Sequence, residues 1–181
     1  MTRSTARERR TDVEWVARVY REHYRFVWRT LARLGVPHAA LEDALQDVFI
    51  VLHRRRNDFE GRASVRTWLY GIAIRIGRRA RERQRHRQTL PLLDDEASRR
   101  ADPEHASMQR QALTQLDAAL SRLSDEQREV FVLFELEGLQ AKEIASIVGV
   151  GRNTVYSRLR LARENFQLRL AEPEPSEEND R

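Results

Sequence analysis

The chain has 181 residues, 40% hydrophobic and 34% charged, enough apolar side chain to build one ordinary domain or two small helical ones. It contains no cysteine, which removes disulfide scaffolds, thiolate zinc sites and thiol nucleophiles together. The net charge is +5 and Lys142 is the only lysine, so the positive charge is nearly all arginine, whose planar fork suits phosphate and guanine contacts; a GC-rich genome produces the same bias with no functional meaning.

The spacing of apolar residues predicts seven helices and no strand. The first spans about Asp12 to Leu34, with an apolar stripe of Val13, Val16, Ala17, Tyr20, Tyr24, Val27, Trp28, Leu31 and Leu34. Thr11 and Glu14 form a capping-box pattern at its start, and Gly35 stops it. Pro37 suits the first turn of a second helix to about Arg56, which buries Leu41, Leu45, Val48, Phe49 and Leu52. A polar loop from Asn57 to Ala63 follows. Ser64 then serves as N-cap for a third helix to about Arg87. Residues 88–107 carry Pro91, Pro103 and an acidic run without periodicity, the composition of an interdomain linker.

The second half opens with a short helix carrying Leu113, Leu116 and Leu120, with Leu123 close behind. Ser124 and Gln127 form a capping box for the next helix, with Val130, Phe131 and Phe134, which Gly138 ends. Two further helices, about Gln140 to Val148 and Arg152 to Leu170, flank the turn Gly149-Val150-Gly151. The expected organisation is all-α: an N-terminal domain over 11–87, a linker over 88–107 and a C-terminal domain over 108–171. Residues 1–10 and the proline-rich acidic end, 172–181, are expected to lack fixed structure.

Glu143 to Leu161 has helix-turn-helix spacing. Ile144, Val148, Val150, Val155 and Leu159 supply a shared apolar seam, and Ala145 is small where two helices must cross. Arg152, Asn153, Thr154, Tyr156, Ser157 and Arg160 are left on the exposed side of the second helix, where arginine and asparagine can read base edges in a major groove. Arg158, Arg163 and Arg169 suit phosphate contacts, which position without specifying. A plain helical hairpin with a solvated basic face gives a similar pattern.

Two other segments carry charge. Between Arg75 and Arg87 there are seven arginines against one glutamate; Arg75, Arg78, Arg79 and Arg83 fall on one side, opposite Leu69, Ile72, Ala73 and Ile76. With Trp68 and Tyr70 upstream, this combines phosphate attraction with aromatic platforms, as single-stranded nucleic acid requires; the same pattern also reads as a solvated basic face with Trp68 in the core. On the second helix Asp43, Gln46 and Asp47 stand at i, i+3 and i+4, an acidic patch that repels DNA and suits a basic protein partner. No apolar run approaches the roughly 20 residues that span a bilayer, and no signal-type stretch follows the basic start. The expectation is a cytoplasmic protein that is not itself a membrane protein.

These segments resemble a known family. LEDALQDVFIVLHR, Leu41 to Arg54, is similar to the sigma-factor segment that docks on the clamp helices of RNA polymerase. FEGRASVRTWLYGIAIR, Phe59 to Arg75, resembles the adjoining promoter-melting segment, and Leu123 to Arg163 resembles the C-terminal sigma domain. The likeness covers roughly Val13 to Leu170, and the lack of further sigma domains points to the small extracytoplasmic-function (ECF) group of bacterial RNA polymerase sigma factors.

The resemblance implies roles. Asp43, Gln46 and Asp47 contact core RNA polymerase. The loop with Asn57, Phe59, Arg62 and Ser64 holds a base of the melted non-template strand, and Arg75, Arg78, Arg79 and Arg83 engage the minus-ten element. Arg152, Asn153, Thr154, Tyr156, Ser157, Arg158, Arg160 and Arg163 engage duplex promoter DNA at the minus-thirty-five element. An anti-sigma factor is the further partner implied. Arg75 and Arg79 depart from the family's frequent Asn and Asp, Ser124 from a frequent proline, Gly151 from a capping serine, and Tyr156 from a common basic residue.

The competing reading is a helix-turn-helix regulator that binds duplex DNA independently of polymerase, with the N-terminal helices used for dimerisation or sensing. An enzyme acting on DNA finds no support: His23, His38, His53, His86 and His105 lack metal-ligand spacing, and there is no glycine-rich phosphate loop. No cofactor, metal or catalysis is expected.

Overall fold

The computed structural model describes residues 6–89 and 107–171, and the chain divides into two compact units, Met1–Ala97 and Ser98–Arg181. Most of the expected linker (90–106), the acidic end (172–181) and residues 1–5 lie outside the described residues. The described part is all-α. The first unit holds α1 (Ala6–Arg33), α2 (Leu41–Arg54) and α3 (Val65–Thr89); the second holds α4 (Ser107–Ser121), α5 (Asp125–Phe131), α6 (Ala141–Val148) and α7 (Arg152–Ala171).

In the first unit each helix packs on the other two. Val27, Leu31, Leu34, Val48, Leu52, Leu69, Ile72 and Ala73 are essentially inaccessible. Each large aliphatic side chain buried this way contributes about 1.5–3 kcal/mol of transfer free energy. α1 ends in a Schellman turn: the Gly35 N–H donates to the Ala32 carbonyl (2.8 Å) and the Val36 N–H to Leu31 (3.1 Å), with Gly35 at φ 81° and Val36 buried. Ser64 caps α3, its hydroxyl accepting the Thr67 N–H at 3.0 Å.

The structure corrects three expectations here. α1 begins at Ala6, not near Asp12, so Thr11 lies inside the helix and does not cap it. The preceding run, Ala6 to Arg10, consists of strong helix formers that extend the helix. Its buried face is also rotated relative to the expected stripe. Val19 and Thr30 are buried, whereas Val13, Ala17, Tyr20 and Tyr24 are exposed. Third, α2 is entered through a 3-10 turn, His38–Ala40, with Pro37 just ahead of that turn and not in the first turn of the α-helix.

A buried arginine joins the elements. Arg81 is 5% exposed, and its guanidinium donates to the Leu34 carbonyl at the end of α1 (2.6 Å). That carbonyl belongs to the electronegative end of α1, so the cation both satisfies an orphan acceptor and complements the helix dipole. Gly77, one turn earlier on α3, makes room for it: a Cβ there would stand 3.3 Å from the Arg81 Nη1 and 3.5 Å from Val36.

In the second unit Ser124 and Gln127 form the expected reciprocal capping box of α5. α5 continues into a π-helical turn, Val132–Leu136, before Gly138 at φ 69°. Leu120, Leu123, Val130, Phe131, Val132, Leu133, Ile144, Val155, Leu159 and Ala162 make its core. Leu113, expected on that apolar face, is 55% exposed.

Candidate nucleic-acid interface

In the second unit α6, the Gly149-Val150-Gly151 turn and α7 form a helix-turn-helix. Gly149 sits at φ 80°, a left-handed conformation that lets its N–H return to the Ala145 carbonyl (3.0 Å) and stop α6 after two turns. Ile144, Val148, Val155 and Leu159 close the seam, all 7% exposed or less. This burial turns Arg152, Asn153, Thr154, Tyr156, Ser157 and Arg160 outward, while Arg158 is half-buried.

Those residues are not equally available. Ser157 donates its hydroxyl to the Thr154 carbonyl (3.0 Å). Arg160 is paired with Glu164 at 2.6 Å, one turn on. Arg163 is held by Glu135 of the π-helical turn (2.6 Å) and lies over the Phe134 ring. Exposed pairs of this kind are worth about 0–1 kcal/mol, so a phosphate competes with them readily. A groove of about 450 Å³ beside the first turn of α7 is lined by Gln140, Lys142, Arg152 and Tyr156, among others. Lys142 therefore adds positive charge beside Arg152. Its position as the sole lysine, at the start of α6, was the sequence signal for it.

In the first unit the loop before α3 is held from within. Phe59 is half-buried between two indoles, its centroid 6.1 Å from Trp15 and 5.2 Å from Trp68. Its ring anchors the loop. Arg55 pairs with Asp58 (2.8 Å), Arg62 pairs with Glu60, and Asn57, Arg62 and Ser64 remain exposed. Tyr70 corrects the expected aromatic platform: it is 1% exposed, its ring meets Phe26 edge-on at 4.8 Å, and its hydroxyl accepts from Arg66 (3.3 Å). Tyr70 and Ile74 form a second buried stripe beside Leu69, Ile72, Ala73 and Ile76, because α3 packs against two helices. Trp68, half-buried at the mouth of the loop, is the aromatic that remains beside the basic stripe.

Arg75, Arg78, Arg79 and Arg83 are exposed along α3, as expected. The polar patch of α2 divides between two grooves. Asp43 and Asp47 line a small groove facing α3, together with Arg79 and Arg83. Gln46 lines a larger, mainly apolar groove between α1 and α2, with Tyr20, Tyr24, Trp28, Leu45, Phe49 and Ile50. Tyr20 stacks on Tyr24 there (centroids 5.8 Å apart) and meets Phe49 edge-on at 4.7 Å. Such an exposed aromatic surface is typical of protein–protein contact. By spacing alone Tyr20, Tyr24, Trp28, Leu45 and Phe49 belong to the apolar faces of the two helices.

Among the described residues no group of three histidine, cysteine, aspartate or glutamate side chains could hold a metal ion, and no helix is long and apolar enough to cross a membrane.

Residues 19–87 match the family model for sigma-70 region 2, and residues 113–166 match that for sigma-70, region 4. The ECF RNA polymerase sigma factor SigM of Mycobacterium tuberculosis is 30% identical over 87% of this chain and 83% of its own length. The ECF RNA polymerase sigma factor SigC of the same species is 31% identical over 83% and 79%. Among solved structures, the sigma factor RpoE of Bartonella quintana, in complex with the anti-sigma factor NepR, superposes with a TM-score of 0.67 at 23% identity, covering 85% of this chain and 95% of that one.

Proposed function

The chain belongs to the ECF RNA polymerase sigma factors, and from that membership we propose how its residues divide the work of initiation. It binds core RNA polymerase and directs DNA-templated transcription at specific promoters. In our reading Asp43, Gln46 and Asp47 contact the polymerase, with the aromatic groove between α1 and α2 extending that surface. Asn57, Arg62 and Ser64 receive the melted strand, and Phe59 holds their loop in place. Arg75, Arg78, Arg79 and Arg83 engage the minus-ten region. Arg152, Asn153, Thr154 and Tyr156 read the minus-thirty-five duplex, with Ser157 beside them, and Arg158, Arg160 and Arg163 hold phosphates. The protein acts by binding and not by catalysis, in the cytoplasm, where polymerase works. An anti-sigma factor is proposed as a further partner, by analogy with the NepR complex of RpoE.

The observation that carries the reading is the pairing, in one chain, of an acidic helix beside an exposed aromatic groove with two separate arginine-bearing helices. Mapping the 5′ ends of transcripts made by core polymerase plus this protein on fragmented genomic DNA tests it. A shared two-part upstream sequence is expected. Asn153→Ala relaxes preference at a position in the upstream part alone, by about 1–3 kcal/mol, and Arg75→Ala acts on the downstream part alone. Relaxation in the opposite part overturns the assignment.

A further inference from the structure

The loop before α3 turns one side chain inward. Within residues 57–64 every side chain is exposed except Phe59, which is half-buried. The backbone reaches it through a 3-10 turn, in which the Asp58 N–H donates to the Arg55 carbonyl (2.9 Å) and the Phe59 N–H to Arg56 (3.2 Å). Gly61, at φ 71°, then reverses the chain. Phe59 has two indole neighbours of different origin. Trp68, 5.2 Å away, stands on the first turn of α3 and so belongs to the same stretch of chain as the loop. Trp15, 6.1 Å away, belongs to α1 and supplies a wall from outside that stretch. Both separations lie in the range at which aromatic rings attract. The register of α1 sets the place of Trp15: Val19, one turn on, is buried, while Val13, Glu14, Ala17 and Arg18 face solvent. Trp15 itself packs against the core of the unit.

We propose that Trp15 is a positioning residue for strand capture: from α1 it holds Phe59, and so fixes the 57–64 loop in the form that receives a base of the melted strand. The proposal rests on the assignment of that loop to the melted strand. A ring held by Trp68 alone can swing out with the loop; a second indole, packed on the core, ties it down. The gain is preorganisation. Ordering a loop at the moment of binding costs free energy, and a loop already held avoids that cost. Trp15 need touch neither DNA nor polymerase to do this, so its removal acts on strand opening and not on docking.

The test uses holoenzyme made from core polymerase and the full-length protein, on a promoter identified by 5′-end mapping. Strand opening is read by permanganate reactivity of non-template thymines. Trp15→Leu, which keeps apolar bulk without a ring, should lower the opening equilibrium about ten-fold. Trp15→Phe, which keeps a ring, should restore most of it. Affinity for core polymerase and binding to upstream duplex should not change in either variant. Val16→Ala trims core packing at the next position of α1 and offers Phe59 no ring, so it should leave opening nearly unchanged. Phe59→Ala should lower opening at least as far, and adding Trp15→Leu to it should cost no more, since the two residues act through one contact. Thermal melts establish that each variant is folded. Equal losses in Val16→Ala and Trp15→Leu, no recovery in Trp15→Phe, or additive losses in the double variant overturn the proposal. If Asn57→Ala with Arg62→Ala leaves opening unchanged, the assignment of the loop to the melted strand fails, and the proposal fails with it. If that pair lowers opening and Trp15→Leu does not, the positioning role alone fails.

Discussion

Charge reversal at Asp43, as Asp43→Arg, is expected to lower affinity for core RNA polymerase about 100-fold, because a like charge set against a basic partner surface costs several kcal/mol. The fold should survive. Asp43 is exposed on α2, and its neighbours Ala44 and Leu41 carry the packing. Surface substitutions of this kind stay within about 0.5 kcal/mol, a shift in melting temperature below about 4 °C for a unit of this size. Titration of labelled protein with core polymerase and a thermal melt read the two effects separately. Asp43→Asn removes the attraction without adding repulsion, and its loss of affinity should be the smaller. A regulator that acts without polymerase would be indifferent to both.

The second large effect is expected at the helix-turn-helix seam. Val155 is fully buried where α7 crosses α6. Val155→Asp places a carboxylate there with no partner, and an unpaired buried charge of this type costs more than about 4 kcal/mol. That is a large share of the 5–15 kcal/mol that stabilises a typical domain. The second unit should lose its cooperative melt and promoter recognition should be abolished, whereas polymerase binding through α2 should persist because the first unit has its own core. Circular dichroism melts, duplex binding by holoenzyme and polymerase titration distinguish this from Asn153→Ala, which removes a proposed base contact from a folded helix.

Legibility in the sequence followed the kind of signal. The helix-turn-helix was readable because three features coincide within twenty residues: an apolar seam at helical spacing, a glycine turn, and a polar first turn after it. The Ser124 capping box was equally readable, since both partners are local. What failed was the choice of face on helices with apolar residues on more than one side. In α1 the residues Val16, Val19, Val27 and Leu31 compete with Val13, Tyr20 and Tyr24, and only packing shows that Val13 is exposed and that the two tyrosines border a groove. Tyr70, next to the polar loop and just ahead of the arginine run, reads in sequence as a surface aromatic, but it is buried against Phe26. Among the seven arginines from Arg75 to Arg87 nothing local marks Arg81 as buried; the distinction depends on the α1 carbonyl it meets, 47 residues away in sequence. The groove that unites Asp43 and Asp47 with Arg79 and Arg83 is likewise a product of helix packing, invisible to spacing along either helix.

The most direct test of a sigma function is initiation itself. Core RNA polymerase supplied with this protein should start transcription at defined positions on DNA carrying a cognate promoter, core polymerase alone should not, and the Asp43→Arg variant should fail to restore it. Absence of binding to core polymerase even at low salt, or tight and specific duplex binding by the protein alone with initiation unaffected by Asp43→Arg, would contradict the account.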